Sequence, residues 1–447
     1  MSSATLSVLK LKKRLKLPPL LKNMSITFSE SVVTKGLNFL IILVLTRKLG
    51  PEDYGKYSFI FVTVATCSAL FDFGMENTAV RFAARERDKK QGIFGLYLSV
   101  KLCTLLSLVL FFVFGGDWLF SLMNKSAVSR YLPFLIMGLL GESLFFVNDT
   151  YLQANQRFQL RAVLNIIRYA VALLFILFLF VGNSVALQYV FYVYLVPLLF
   201  SLVFLGKYFS FIRDYLKKPF QKPLMGEILD YEKWMFVYST AYNLLGRIDF
   251  FMLGFWVGFQ QLGIYNAAYQ LCSIVSFLPV ALGKVLLPAL SELGEEEVCR
   301  KTKKMIRATT LICVVAVLVM PLTYWLVPFL LGKDYIAAVP ILQILLLTFI
   351  IGLMSMPYEQ SLYSLGRPKV LSIGRYIQLG MIILLNGVLL PFFGMVYGAY
   401  IVAVSGLLGR LFYLVYARWF YLEYEGKIMA RHEKAVLREG TPCQVQY

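Results

Sequence analysis

Residues Glu30–Tyr57 read ESVVTKGLNFLIILVLTRKLGPEDYGKY. An apolar segment carries Lys35 near its middle, ends at a turn marked by Gly50 and Pro51, and leads into a second apolar segment. Glycine reaches backbone angles that other residues resist, so the pattern predicts two helices joined tightly. A cation at the centre of an apolar helix costs at least about 2.5–3.5 kcal/mol, so it normally faces a bundle interior or a wet cavity. What surrounds that helix therefore decides the fold.

The whole chain asks for an apolar solvent. It has 447 residues, 59% hydrophobic and 15% charged, against about 25% charged in soluble domains. An all-α integral membrane protein follows. Runs of about 20 mostly apolar residues fall near 25–46, 57–80, 93–115, 131–152, 162–182, 188–206, 234–256, 264–287, 308–331, 338–360, 371–391 and 394–416. That pattern predicts about 12 transmembrane helices. Pro391 and Gly394 mark the hairpin between the last two.

The net charge of +19 does not point to nucleic acid, because the excess sits in short loops. With the N-terminus placed in the cytoplasm, alternate loops are basic, such as Arg81–Lys90, Lys207–Lys233 and Arg300–Arg307. The opposite loops hold only Arg47, Lys48, Lys56, Lys125, Arg130 and Lys333. Cytoplasmic loops carry the Lys/Arg excess, which puts both termini inside. Residues 1–23 hold six Lys or Arg and no acid; they read as an arm on anionic headgroups rather than as a cleavable signal peptide.

Two halves repeat. Gly50-x4-Gly55-x-Tyr57 recurs as Gly258-x4-Gly263-x-Tyr265, a shift of 208, and Gln156-Arg157-Phe158 lies near Gly366-Arg367-Pro368, a shift of 210. The expected domains are a basic arm (1–23), a six-helix lobe (24–206), a cytoplasmic linker (207–233), a second six-helix lobe (234–416) and a cytoplasmic tail (417–447). Parallel repeats of this kind occur in transporters, with the substrate site at the repeat interface.

The buried charges are the candidate site. Lys35 and Arg247 lie nearest the midplane, in the first and seventh helices, and read as cavity cations. Lys101, Arg168 and Arg410 suit either a cavity or an ion pair. Lys284, Arg375, Asp149 and Glu359 lie toward the cytoplasmic ends, where snorkelling or rim ion pairs explain them. Asp72 and Glu76, four apart, share a face of the second helix, and Glu142 and Asp149, seven apart, share one on the fourth. Asp72, Glu76, Glu142 and Asp249 either neutralise the cations or bind a coupling proton or sodium ion. Six cysteines without paired spacing and a single histidine, His432, predict no disulfide and no metal site. No G-x4-GK[ST] motif is present, so no nucleotide cofactor is expected, and an ion gradient or the lipid gradient remains as driving force.

The stretch Arg47-x-Leu49-Gly50-Pro51-Glu52-x-Tyr54-Gly55-x-Tyr57 resembles the polysaccharide transporter family, the Wzx-type O-antigen and capsule flippases of the multidrug/oligosaccharidyl-lipid/polysaccharide exporter superfamily. The resemblance implies two six-helix lobes around a central cavity. It implies alternating-access movement of an undecaprenyl-pyrophosphate-linked oligosaccharide across the cytoplasmic membrane, for lipopolysaccharide or capsule synthesis. It also implies membrane lipids and a polysaccharide polymerase as partners, and a cationic interior that Lys35 and Arg247 would match. The chief alternative is a multidrug/cation antiporter, which wants an acidic cavity. A polysaccharide polymerase or ligase would need a large extracytoplasmic loop, and the outer loops are short. The chain is thus expected not to be an enzyme.

Overall fold

The computed structural model describes residues 19–181, 186–217, 222–275, 290, 294–365 and 367–439. Regular structure among the described residues is entirely helical. Hydrocarbon requires this, because a helix satisfies its own backbone polar groups. The arm over residues 1–18, Lys284 and Gly366 lie outside the described residues.

The first helix, α1, spans Pro19–Leu70 and is interrupted at Gly50, where φ is 71° and ψ 174°. Its apolar portion, Ser25–Leu70, has 46 residues. At 1.5 Å per residue that is about 69 Å, more than twice the roughly 30 Å hydrocarbon core. The glycine break therefore divides two spans, as the opening stretch predicts.

After α1 come α2 (Met75–Arg85), α3 (Lys90–Leu122), α4 (Leu132–Ala154) and α5 (Phe158–Leu179). The next expected span is broken into α6 (Leu187–Val190), a 3-10 turn and α7 (Leu195–Leu202), followed by α8 (Leu205–Lys217). Then come α9 (Lys222–Leu245), α10 (Ile248–Trp256), α11 (Phe259–Val275), α12 (Glu295–Val319), α13 (Thr323–Leu331), α14 (Ala338–Ser364) and α15 (Pro368–Glu439).

The 72 residues of α15 double back. A Cβ on Gly409 would meet Ile382, one on Gly374 would meet Tyr416, and one on Gly398 would lie 3.7 Å from Leu390. Tyr416 also donates to the Val370 carbonyl at 3.1 Å. These pairs centre near residue 394, the expected hairpin.

Seven described helices are long and apolar enough to cross a membrane, or eight if the pair Leu187–Leu202 and Gly206–Leu216, bent by 58°, counts as one. This count does not reach twelve. Two of the seven each hold two expected segments, the seventh expected segment is broken at Gly246, and the eighth runs beyond the described residues.

The chain forms two compact units. The first holds residues up to Val44, Thr63–Asp117 and Arg130–Thr240. Its core packs Phe82, Phe94, Tyr97, Leu98, Val147 and Phe211. Gly95 admits α8: a Cβ there would stand 2.3 Å from the Phe211 carbonyl oxygen. The second unit holds Leu45–Val62, Trp118–Ser129 and Ala241 onward. It buries Tyr358, Leu362, Tyr413, Ala417 and Tyr421 together. Large apolar side chains such as Phe114 and Met395 are more than four-fifths exposed, as lipid-facing residues are.

Candidate functional site

In the first unit, buried cations meet carboxylates. The apolar run 57–80 is not one helix: α1 ends at Leu70 and α2 begins at Met75. Phe73 and Gly74 between them have φ of 56° and 93°. Gly74 also sits close to α9, since a Cβ there would lie 2.9 Å from the Met235 carbonyl oxygen. Asp72 therefore lies in a turn and does not share a helix face with Glu76. Its Oδ2 accepts the Glu76 amide at 3.1 Å, which satisfies one orphan donor at the start of α2. Its Oδ1 accepts from Lys101 Nζ at 2.8 Å and from Tyr97 Oη at 3.0 Å. Lys101, 3% exposed, also donates to the Ser68 carbonyl at 3.1 Å.

Along α4 the two expected acids do share a face, and α5 answers both. Arg168 Nη1 donates to the Glu142 carboxylate at 3.0 and 2.9 Å and lies over the rings of Phe145 and Tyr169. Arg161 makes a two-pronged pair with Asp149, both bonds 2.8 Å. Asn165 Nδ2 then joins Asp149 to Glu30 at 2.9 and 2.8 Å, and Glu30 lies 3.6 Å from Arg161. Glu30 is thus part of an Arg–Asp–Asn network. Lys35 is exposed on α1, beside open space at Gly36.

The second unit differs. Arg247 is not inside a helix but at a break: α9 ends at Leu245, and Arg247, with φ −145° and ψ −7°, precedes α10. Its guanidinium lies 4.9 Å from the centre of the Tyr269 ring. Asp249, in the first turn of α10, accepts the Phe250 amide at 2.8 Å and the Tyr265 hydroxyl. Farther along, Arg375 donates to Glu359 at 3.0 Å and lies 3.8 Å over Tyr413. Ser355 holds the other Glu359 oxygen at 2.7 Å.

Arg410 lies 5.8 Å from the same Tyr413 ring, with its guanidinium against Gly352. A Cβ at Gly352 would stand 2.6 Å from Arg410 Nη2. Among the described residues, neither Arg247 nor Arg410 has a carboxylate within 4.0 Å, whereas Lys101, Arg168 and Arg375 each have one and Arg161 has two. Sequence reasoning missed Arg161, placed in a loop because it opens α5. It also missed Gly352, whose only signal is its size.

The repeated glycine motif has a structural use. A Cβ at Gly55 would stand 1.9 Å from the Phe259 carbonyl oxygen, and one at Gly263 would stand 2.1 Å from that of Pro51. Two backbones cross where only glycine fits, as small residues permit between membrane helices. Neighbouring cations finish helix ends. Arg47 donates to the Leu330 carbonyl at 2.8 Å and to Phe329 at the end of α13. Lys125 donates to the Val257 carbonyl at 2.5 Å, just past α10. Cations favour helix C-termini, where carbonyls lack partners.

An all-helical chain with several membrane spans and buried charges is a multi-pass membrane protein, and its fold is that of known transporters. It superposes on the lipid II flippase MurJ in an inward closed conformation with a TM-score of 0.70, at 15% identity, covering 88% of this chain and 87% of that one. It superposes on an inward-facing multidrug resistance MATE family transporter of the MOP superfamily with a TM-score of 0.64, at 14% identity, covering 91% and 96%.

The family described as "Polysaccharide biosynthesis protein" matches residues 20–294, and the chain belongs to that family. A Shigella flexneri protein named "Putative O-antigen transporter" is 22% identical over 357 residues, 73% of this chain and 80% of that protein. An uncharacterized membrane protein of Methanocaldococcus jannaschii is 24% identical over 211 residues, 45% of this chain, and the match spans 40% of that protein's length.

Proposed function

We propose that the protein is a flippase for a polyprenyl-pyrophosphate-linked oligosaccharide, moving it across the cytoplasmic membrane by alternating access during surface polysaccharide synthesis. The observation that carries this reading is that Arg247, at the break between α9 and α10, and Arg410, within α15, have no carboxylate within 4.0 Å among the described residues. A guanidinium without a directly paired carboxylate attracts an anion far more strongly in a low-dielectric region than in water. Its planar fork suits phosphate oxygens. Lys35, exposed on α1 in the first unit, stays in this reading a candidate contact for the anionic lipid. The family match supports the substrate class, as does the O-antigen transporter relative.

Lys101 and Arg168, each hydrogen-bonded to a carboxylate, are in this reading scaffold rather than substrate contacts. Asp72 and Glu142 are then their counter-ions, and Glu76 and Asp249 remain the candidates for proton or sodium coupling. Both termini are cytoplasmic, and a polysaccharide polymerase receives the product.

The test is transfer of a fluorescent polyprenyl-pyrophosphate glycan in proteoliposomes, alongside surface polymer output in cells lacking the native protein. Arg247→Gln and Arg410→Gln, expressed at normal levels, should each lower transfer at least tenfold. Full output from both variants would sink the assignment. Export of cationic dyes without lipid transfer would favour a drug antiporter.

A further inference from the structure

A second candidate site lies in the second unit, beginning one turn along α15 from Arg410. Three helix faces border an open cleft. Ile306 and Thr310 line it from α12, Met354 and Tyr358 from α14, and Leu414 and Arg418 from α15. Each pair is four residues apart, so each helix contributes one face along its axis.

The three faces run in register. Thr302 hydrogen-bonds Ser361 at 2.6 Å, and Lys303 pairs with Glu425 at 2.8 Å, so the start of α12, the end of α14 and the tail of α15 lie at one level. Cys313 donates to the Ile350 carbonyl at 3.6 Å, deeper in the same packing. Ile306, Tyr358 and Arg418 therefore form the layer nearest the basic Arg300–Arg307 stretch, and Thr310, Met354 and Leu414 form the layer beneath it.

The cleft thus has an apolar trough with a cation at one end. Thr310 adds no free polar group, because its hydroxyl is bonded to the Ile306 carbonyl at 2.8 Å. Arg418 is exposed and has no carboxylate within 4.0 Å among the described residues. Glu425 pairs with Lys303, Glu423 with Lys427, and Glu297 with Arg300 and Lys301. Val415 on the cleft wall is 65% exposed, so the trough opens to the side of the bundle.

We propose that this cleft binds an anionic phospholipid, with its phosphate on Arg418 and one acyl chain along Leu414, Met354 and Thr310. An unpaired guanidinium at the end of a hydrocarbon-lined trough fits that amphiphile. A zwitterionic lipid would bring its own cation beside Arg418 and gain less. Leu414 is one turn from Arg410 on α15, so the test must tell a phospholipid from the carrier lipid.

Native mass spectrometry of the full-length protein tests this, with phosphatidylglycerol or phosphatidylcholine of matched chains added to the detergent-purified sample. Phosphatidylglycerol should be retained preferentially. Arg418→Gln should lower its retention about fivefold, the factor one Lys or Arg near an anionic surface supplies, and Arg418→Lys should restore most of it. Met354→Trp, which fills the trough, should lower retention of both lipids while the protein stays monodisperse. Equal retention of the two lipids by the wild type would overturn the proposal, as would unchanged phosphatidylglycerol retention in both Arg418→Gln and Met354→Trp. Displacement of phosphatidylglycerol by equimolar polyprenyl phosphate would also overturn it, by assigning the cleft to the carrier lipid.

Discussion

Asn266 donates from Nδ2 to Ser58 Oγ at 2.9 Å, across a separation of 208 residues. That is the shift at which Gly50–Tyr57 recurs as Gly258–Tyr265, so Ser58 and Asn266 are equivalent residues of the two motif copies, and they touch. The backbone contacts obey the same shift: Gly55 meets Phe259 and Gly263 meets Pro51. When residue i of one copy meets residue j of the other and j meets i, the copies are related as in an isologous interface. Within the second unit, the repeat is therefore a pair of surfaces made for each other.

This contact predicts unequal tolerance within one motif. Gly55→Ala and Gly263→Ala put a Cβ about 2 Å from a carbonyl oxygen, and backbone cannot rotate away as a side chain can. Each should cost about 3 kcal/mol or more and appear as lost folded protein in detergent. Ser58→Ala removes one hydrogen bond and should cost about 1 kcal/mol. Gly258→Ala has nothing within 4 Å of its Cβ and should be nearly silent. Fluorescence size-exclusion yields of the four variants check the order; equal yields for Gly55→Ala and Gly258→Ala would refute the crossing.

Lys101 and Asp72 predict a rescue. Their side chains are 3% and 12% exposed, and removing one partner from a buried pair leaves an uncompensated charge, at a cost of about 3–5 kcal/mol. Asp72→Asn or Lys101→Met alone should sharply lower the melting temperature in detergent. The double variant Asp72→Asn/Lys101→Met should recover most of the loss. If Lys101 instead bound substrate, Lys101→Met would keep its stability and lose transport.

The hinges of this fold were partly legible. Gly50 was read as a turn because Gly-Pro after a long apolar run has a direct backbone meaning, and the Pro391–Gly394 hairpin was legible for a similar reason. The breaks at Phe73–Gly74 and Gly246–Arg247 were not. In both, the apolar run continues through the break without a proline, so hydropathy sees one segment. At Gly74 the cause is the close approach of Met235, which no local pattern reports. The acids and bases were legible as a set. Their pairing was not, because Arg161 with Asp149 depends on how two consecutive helices face each other, and Glu30 with Asn165 joins helices 135 residues apart in sequence.

Gly352 predicts a positioning effect. Its missing side chain seats the Arg410 guanidinium, so Gly352→Ala should displace that group while the protein still folds. Transport should fall with little change in melting temperature, and the apparent affinity for the lipid-linked glycan should weaken more than the maximal rate. Gly352→Ala combined with Arg410→Gln should be no worse than Arg410→Gln alone. Additive losses in a double-mutant cycle would show that Gly352 acts elsewhere.

Glu232 predicts a pH dependence. It precedes the expected span 234–256, and its two carboxyl oxygens are buried, with the Thr78 hydroxyl as the nearby group that opposes the effect of burial. Burial pushes its pKa from 4.5 up to about 7, and the negative charge of Asp72 adds to the rise. The folded protein therefore holds this proton at pH values where the unfolded chain has released it. Folded stability should decline as pH rises from about 4.5 to about 7 and level off above that, since a state that binds more protons loses ground as they are removed. Glu232→Gln keeps the shape without the charge, so its advantage over wild type should be larger at pH 8 than at pH 5. Melting temperatures of both proteins across that range check the point, and parallel curves would exclude Glu232 as the titrating group.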